Sequence, residues 1–425
     1  MRPRLVLATL ACLFFGQPAA ADANYVTLVT LVTLVTPITL PPPPGEADQD
    51  ELVGQDFGEL SPGSPDPVES EPEEEGQQQV DTRELKPVVR PKVAPRASKP
   101  KPAKKTRAKG DAACDFRVPV YEHDVIDGDM ASSIAARYGV RLGEIKKLNP
   151  RLDNNKLRIG QKIRVCPDIA PRLREEFTYE VKSGDNLSKI GEKYGLLPKE
   201  VVRLQSGKLR RRLEASASDL KPGDELTLVV DRGVLPEYAP KKNEDRGTLK
   251  VGVALEPGKG YFIKRTHLVY GTARTVKTIK AALSRYKQSK VGKGGPQVHV
   301  GDISARGGGP LKGHMSHQKG IDVDMGLVLK GEDANETRFR TGRTDNLDIA
   351  RTWALLKAFV DSPDVTAVFL DYGLQKLLYE HAKKQKVSES TLDVLFQYPR
   401  GRGRYFGIIR HWKGHKDHFH VRFRK

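Results

Sequence analysis

Cysteine is scarce in this chain, with three among 425 residues. Cys12 sits in the first apolar stretch, which leaves Cys114 and Cys166 for the remainder. An even pair in an exported protein fits a disulfide. It would close a loop of about 50 residues and stabilise by roughly 4 kcal/mol through lost unfolded-state entropy. Long hydrophobic runs are also missing. Leu5 to Phe15 is too short to span a bilayer, and no later segment is apolar enough, so stable membrane insertion is not expected. With Arg2 and Arg4 before that stretch and Ala19-Ala20-Ala21 after it, residues 1–21 read as a signal peptide. An uncleaved anchor is the alternative; Thr9-Leu10-Ala11 fits a lipoprotein signal at Cys12 poorly. The expected location is periplasmic or secreted.

The first quarter lacks the apolar content needed to offset ordering entropy. Residues 22–110 hold a repeating Leu-Val-Thr triplet, an acidic stretch from Glu46 to Glu75, and a basic, proline-rich stretch from Lys86 to Lys109. They read as a disordered, low-complexity spacer. The formal net charge is +18. Such an excess can mark a nucleic-acid partner, but export argues against one; anionic envelope polymers are the natural counterpart, and simple solubility explains the charge as well.

An internal repeat follows. One copy has Gly128-Asp129, Ile134, Tyr138-Gly139, Ile145, Leu148-Asn149 and Ile163-Arg164-Val165; the other has Gly184-Asp185, Ile190, Tyr194-Gly195, Val201, Leu204 and Leu226-Thr227-Leu228. A seven-residue insertion rich in Lys and Arg follows Leu204. Each copy reads as strand, two short helices, strand, with Gly-Asp marking the turn and the first helix cap. Ile134 and Tyr138, four apart, share a helix face. The pattern resembles the lysin motif (LysM), a βααβ module. That resemblance implies two modules, at 111–170 and 175–232, binding N-acetylglucosamine-containing glycans, chiefly peptidoglycan, through two loops on one side.

After a charged linker at 233–247, residues 248–425 mix elements into an α+β domain. Thr272 or Thr275 caps a helix carrying Val276, Ile279, Leu283 and Tyr286. Gln297–Ile303, Ile321–Leu329, Val365–Leu370 and His418–Phe423 are predicted strands. Asp345 or Asn346 caps a helix with Ala350 and Trp353, and Gly373–Lys384 is a further helix.

Six histidines fall in two short segments, Gly313-His314-Met315-Ser316-His317-Gln318-Lys319-Gly320-Ile321-Asp322-Val323-Asp324 and His411-Trp412-Lys413-Gly414-His415-Lys416-Asp417-His418-Phe419-His420-Val421-Arg422-Phe423. Strand alternation sends Phe419, Val421 and Phe423 to the core, so His418 and His420 share the other face. Ile321, Val323 and Met325 likewise leave Asp322 and Asp324 together. Two His and one carboxylate around an open position is how a catalytic zinc is held.

His317 and Asp324, seven apart, followed by His418-Phe419-His420, resemble the signature of the LAS metallopeptidases. The fuller context is similar to the penicillin-insensitive murein endopeptidases. The resemblance implies a multidomain chain of two LysM modules and an α+β LAS-type domain with a central antiparallel sheet. It implies one zinc per chain on His317, Asp324 and His420, with His418 as general base. His314 and His415 would orient groups or stabilise an oxyanion, or only support the site. Asp322 would hold a ligand imidazole, and His411 reads as a surface histidine. The implied activity is hydrolysis of peptide cross-links in peptidoglycan. A D-Ala-D-Ala carboxypeptidase and a non-catalytic wall-binding protein are the alternatives.

Overall fold

A computed structural model describes residues 109–240 and 244–425. The expected signal peptide and nearly all of the spacer lie outside the described residues.

The first repeat folds as β1 (Tyr121–Asp124), α1 (Ala131–Arg137), α2 (Leu142–Leu148) and β2 (Lys162–Val165), with β1 antiparallel to β2. Ile134 and Tyr138 are buried as their spacing requires, against Ile145 and Ile163. The Gly-Asp dipeptide has a different role from the one expected. Met130, not Asp129, occupies the α1 cap position. Asp129 accepts the Ile126 N–H at 2.9 Å and pairs with His123 at 3.0 Å and Arg174 at 2.9 Å. Its carboxylate lies one residue too early to cap and closes the turn instead. Cys114 and Cys166 are bonded, with Cα atoms 5.3 Å apart. The bridge ties the turn before β1 to the end of β2.

The second repeat comprises β3 (Arg172–Glu180), α3 (Leu187–Tyr194), α4 (Pro198–Arg203), α5 (Gly207–Ala215) and β4 (Glu225–Val234). Here Asn186 caps α3, while Asp185 again closes the turn by accepting the Lys182 N–H. The insertion is the extra helix α5, anchored by buried Leu213.

The C-terminal domain runs β5 (Val253–Ala254), β6 (Tyr261–Ile263), β7 (Tyr270–Gly271), α6 (Ala273–Gln288), β8 (Val298–Val300), β9 (Asp322–Gly326), α7 (Ile349–Val360), β10 (Val365–Phe369), α8 (Tyr372–Lys384), α9 (Glu389–Leu395), β11 (Ile409–Arg410) and β12 (His418–Phe423). Its six-stranded sheet has the order β11-β10-β12-β9-β8-β6. The centre is antiparallel, and the two edge pairs, β10–β11 and β6–β8, are parallel. Thr272 caps α6, whose Val276, Ile279, Leu283 and Tyr286 are buried. Asp348, rather than Asp345 or Asn346, caps α7. Asn346 is committed to the preceding loop, accepting the Arg343 N–H at 2.7 Å and donating to Asp333 at 2.8 Å. Phe359 of α7 lies against Phe419 and Phe423, so the apolar face of β12 closes the core.

The repeats are docked on this domain rather than strung from it. Ile134 and Tyr138 belong to the same continuous core as Phe359 and Phe419. Arg141 donates to the carbonyls of Val360, Ser362 and Val365 at 2.8–2.9 Å. Ser132 donates to Asp393 at 2.9 Å. Arg400, fully buried, grips Glu200 of α4 with two hydrogen bonds of 2.5 and 3.0 Å. A desolvated bidentate pair of this kind fixes an orientation, because separating its members strands a buried charge.

Candidate metal centre

β9 and β12 are neighbours in antiparallel register, with His420 opposite Asp324 and Arg422 opposite Asp322. Alternation then places His418, His420, Asp322 and Asp324 on the face away from the core. His317 reaches them from the loop before β9, with φ at +53° and no exposed surface. A non-glycine residue held there marks a conformation the surroundings impose. The loop passes tightly over β7: a Cβ at Gly320 would lie 2.9 Å from the Gly271 Cα.

Three atoms converge. His317 Nε2 lies 3.1 Å from His420 Nδ1, and each lies 3.2 Å from Asp324 Oδ1. The outer hydrogen bonds decide which ring nitrogens carry protons. His317 Nδ1 faces the Ile303 carbonyl at 3.2 Å, and His420 Nε2 faces Asp322 at 2.9 Å. Both partners only accept, so in the neutral rings the outward nitrogens are protonated and the inward ones present lone pairs. Asp324 Oδ1 is buried with no well-aligned donor among the described residues. Three electron-rich atoms at this spacing need a cation among them. Ligands about 2.0–2.2 Å from a tetrahedral centre lie roughly 3.3–3.6 Å apart, close to what is seen. The residues therefore fit a small divalent metal.

The protonation energetics agree. Burial alone would favour the neutral form of His420, but the hydrogen bond to Asp322 and the adjoining Asp324 carboxylate push it up to about 9. For His317 burial is likewise outweighed, by Asp324, and its pKa is raised. Burial would raise Asp324, yet the adjoining His317 and His418 hold it well below the carboxylate range. This field favours positive charge at the centre.

His314 forms the outer edge. It, His317 and Asp324 each place a donor atom within 4.8 Å of the others. That grouping differs from the expected trio, whose third member is His420. Of the two, His420 stands closer: His314 Nδ1 is 4.0 Å from Asp324 Oδ2, while its Nε2 is 3.3 Å from Asp302. Asp302 is buried and also holds Arg265.

On the open side, His418 Nδ1 donates to Asp417 at 2.6 Å, which leaves Nε2 as the basic nitrogen, 3.7 Å from Asp324 Oδ1. Phe339 stacks on this ring, 5.0 Å between centroids and 14° from parallel. The His415 ring is 4.7 Å from that of His418. Burial, then His418 and His420, lower its pKa to about 3. Its Nδ1 donates to the Lys413 carbonyl at 3.1 Å, so the neutral ring offers Nε2 as an acceptor. That geometry is opposite to the donor an oxyanion requires. His411 is not a surface histidine: it is largely buried, and its Nδ1 accepts the Tyr372 N–H at 3.0 Å. It supports α8 and stands apart from the cluster.

Sequence reasoning missed several neighbours. Asp417 adjoins His418 in the motif and could have been noticed there. Asp302, Arg265, Phe339 and His299 come from other segments, with no spacing to reveal them. His299 on β8 is buried between Phe262 and Phe339, and neither ring nitrogen has a hydrogen-bond partner among the described residues. Burial, then Lys264 and His418, lower its pKa to about 4.

Comparison with known proteins adds the lineage. Residues 244–425 match the penicillin-insensitive murein endopeptidase family, and residues 123–165 and 179–229 match the LysM domain. The C-terminal domain is thus similar to the penicillin-insensitive murein endopeptidases over its whole length. A penicillin-insensitive murein endopeptidase of Haemophilus influenzae is 30% identical over 40% of this chain. Membrane-bound lytic murein transglycosylase D of Escherichia coli is 34% identical over 27% of it. The probable peptidoglycan endopeptidase LytE of Bacillus subtilis is 37% identical over 17%. The chain spans 57% of the length of the first relative and 24% of each of the other two. Among the described residues, no helix is long and apolar enough to cross a membrane.

Proposed function

We propose that the protein is an exported, zinc-dependent murein endopeptidase that hydrolyses peptide cross-links of peptidoglycan and is held on the wall by its LysM modules. The observation that carries this reading is the convergence of three inward lone pairs from His317, Asp324 and His420. These three hold one zinc per chain, and Asp322 orients His420. Bound there, zinc supplies a Lewis acid for the scissile carbonyl and lowers the pKa of water. His418 is the general base: its Nε2 accepts a proton from the attacking water and returns it to the departing amine. Asp417 fixes the tautomer by accepting the Nδ1 proton, so that the lone pair of the neutral ring lies on Nε2. His415 Nε2 accepts a hydrogen bond from substrate or water, and His314 braces Asp324 from the far side.

The family assignment favours endopeptidase over D-Ala-D-Ala carboxypeptidase action. The presence of the complete donor set together with His418 favours catalysis over mere wall binding. Localisation follows from the substrate: peptidoglycan lies outside the cytoplasmic membrane. The net charge of +18 supports a second, weaker attraction to anionic envelope polymers. The test is digestion of purified peptidoglycan with and without a chelator, products identified by mass. Cross-linked dimers should become monomers only in the metal-replete reaction. Loss of terminal D-Ala alone would select the carboxypeptidase reading.

A further inference from the structure

The insertion that makes α5 carries charge to a place its own module does not use. Leu204, at the end of α4, packs on the Gly128 turn of the first repeat; a Cβ on Gly128 would meet its Cδ2 at 3.0 Å, and φ there is +82°. The equivalent turn of the second repeat, at Gly184, has open space in that direction. The contact brings Arg203 and Arg210 beside the two loops of the first repeat. Together they enclose a cleft of about 150 Å³ lined by Ile126, Asp127, Leu157, Ile159, Arg203 and Arg210.

The cleft has two chemical characters. Ile159 is 73% exposed, unusual for an isoleucine in an otherwise polar loop, and Leu157 is half-buried beside it. An aliphatic rim of this kind suits the C–H face and acetyl methyl of an amino sugar. The opposite wall is cationic. Arg203 is exposed and, among the described residues, pairs with no carboxylate. Arg210 is tied to Glu214 at 2.9 Å and approaches Asp127 only to 3.8 Å. Lys156 and Arg158 flank Leu157 in the first-repeat loop, and Lys208 and Arg211 neighbour Arg210 in α5, whereas Arg212 is paired with Asp224 of its own module. Asp129, the other carboxylate of the turn, is already neutralised by Arg174 and His123.

We infer that the second LysM module completes the groove of the first, and that its Arg203 and Arg210 select the free lactyl carboxylate that N-acetylmuramic acid exposes where its peptide stem has been removed, over neutral amino sugars. This rests on the LysM reading above and adds to it a composite site and a preference. Arginine suits the role, since its planar fork matches a carboxylate.

The test uses the full chain and two peptide-free probes. One is tetra-N-acetylglucosamine, which is neutral. The other is the alternating N-acetylglucosamine–N-acetylmuramic acid tetrasaccharide, which carries lactyl carboxylates. Wild type should bind the acidic probe more tightly. Arg203→Gln/Arg210→Gln should weaken that binding by about tenfold, the worth of one charge-assisted hydrogen bond, and leave the neutral probe within about threefold. Ile159→Asp should weaken both. If the double variant keeps the wild-type preference, or if poly(glycerol phosphate) rather than the acidic tetrasaccharide loses affinity with it, the inference is wrong while glycan binding stands. If Ile159→Asp leaves both probes unaffected, the groove itself is misplaced and both readings fall. Unchanged thermal unfolding of Arg203→Gln/Arg210→Gln confirms that the docked modules remain intact.

Discussion

Metal affinity should depend steeply on pH, and the slope can be worked out from the centre. In the metal-free protein His420 has a pKa of about 9, because Asp322 and Asp324 outweigh its burial. Near neutral pH its inward nitrogen therefore carries a proton that a metal must displace. Each pH unit below 9 costs about 1.4 kcal/mol of apparent binding energy. Between pH 8.5 and 6.5 the apparent affinity should fall about 100-fold, roughly 2.7 kcal/mol. At pH 7 binding should release at least one proton. Competition against a chromophoric chelator of known protonation measures the first quantity. Calorimetry in buffers of different ionisation enthalpy measures the second. Asp322→Asn removes the strongest of the raising partners and should flatten the slope. The same shift sets the stability of the metal-free protein. His420 is raised above its unfolded value of 6.5, so its contribution is present below pH 6.5 and is lost as pH rises through 9. The loss is about 3 kcal/mol, and bound metal should abolish it. A metal affinity that stays flat from pH 6.5 to 8.5 would refute the claim that a proton and the metal compete for His420.

Three further outcomes follow from particular contacts. His420→Ala should lose zinc and activity together, whereas His418→Ala should keep zinc and lose about 10²–10⁴-fold in turnover; metal analysis of the two variants checks this, and the reverse pattern would exchange their roles. Asp417→Asn should retain zinc but lower turnover, because an amide can donate to His418 Nδ1 and hold the proton on Nε2; a pH–rate profile identical to wild type would remove Asp417 from the mechanism. Arg400→Met should lower the unfolding free energy by about 3–5 kcal/mol by stranding Glu200, and Glu200→Gln/Arg400→Met should recover much of it; equal melting curves for wild type and Arg400→Met would show that the pair does not fasten the modules.

The strands of the candidate metal centre were legible because period-two patterning is strict where one face is buried. Phe419, Val421 and Phe423 are all within the core, so the opposite placement of His418 and His420 followed. The pairing of β12 with β9 was beyond reach, since register between segments almost a hundred residues apart is a tertiary fact. Caps were misassigned for a related reason. Asp129, Asp345 and Asn346 are good cap residues by type, but each has a stronger local partner in a turn, and propensity yields to it. His411 was read as exposed because an imidazole alone in sequence gives no sign of the helix N-terminus it will meet. Phe339 comes from a loop with no periodic signal, and His299, though on a strand that was expected, carries no spacing that ties it to the two histidine segments.

The docked arrangement changes what the LysM modules can contribute. On a flexible tether, binding raises the local concentration of substrate according to the length and stiffness of the linker. Here the link between module and C-terminal domain is a shared core with Arg141 and Arg400 reaching across it, so the relation is set by packing. A glycan strand held through a stem-free sugar in the composite groove would present the peptide stems of neighbouring sugars within a fixed frame. The benefit is then greatest for stems whose spacing from the bound sugar matches that frame and small for those that do not. Severing the modules would also expose the apolar surface of α1 and the buried Arg400, so a truncated catalytic domain should lose stability as well as anchoring. Rate comparisons between full and truncated protein on intact wall therefore confound the two effects. The groove variants, which leave the shared core untouched, separate them: a slower rate on intact wall with an unchanged rate on soluble muropeptides identifies anchoring alone.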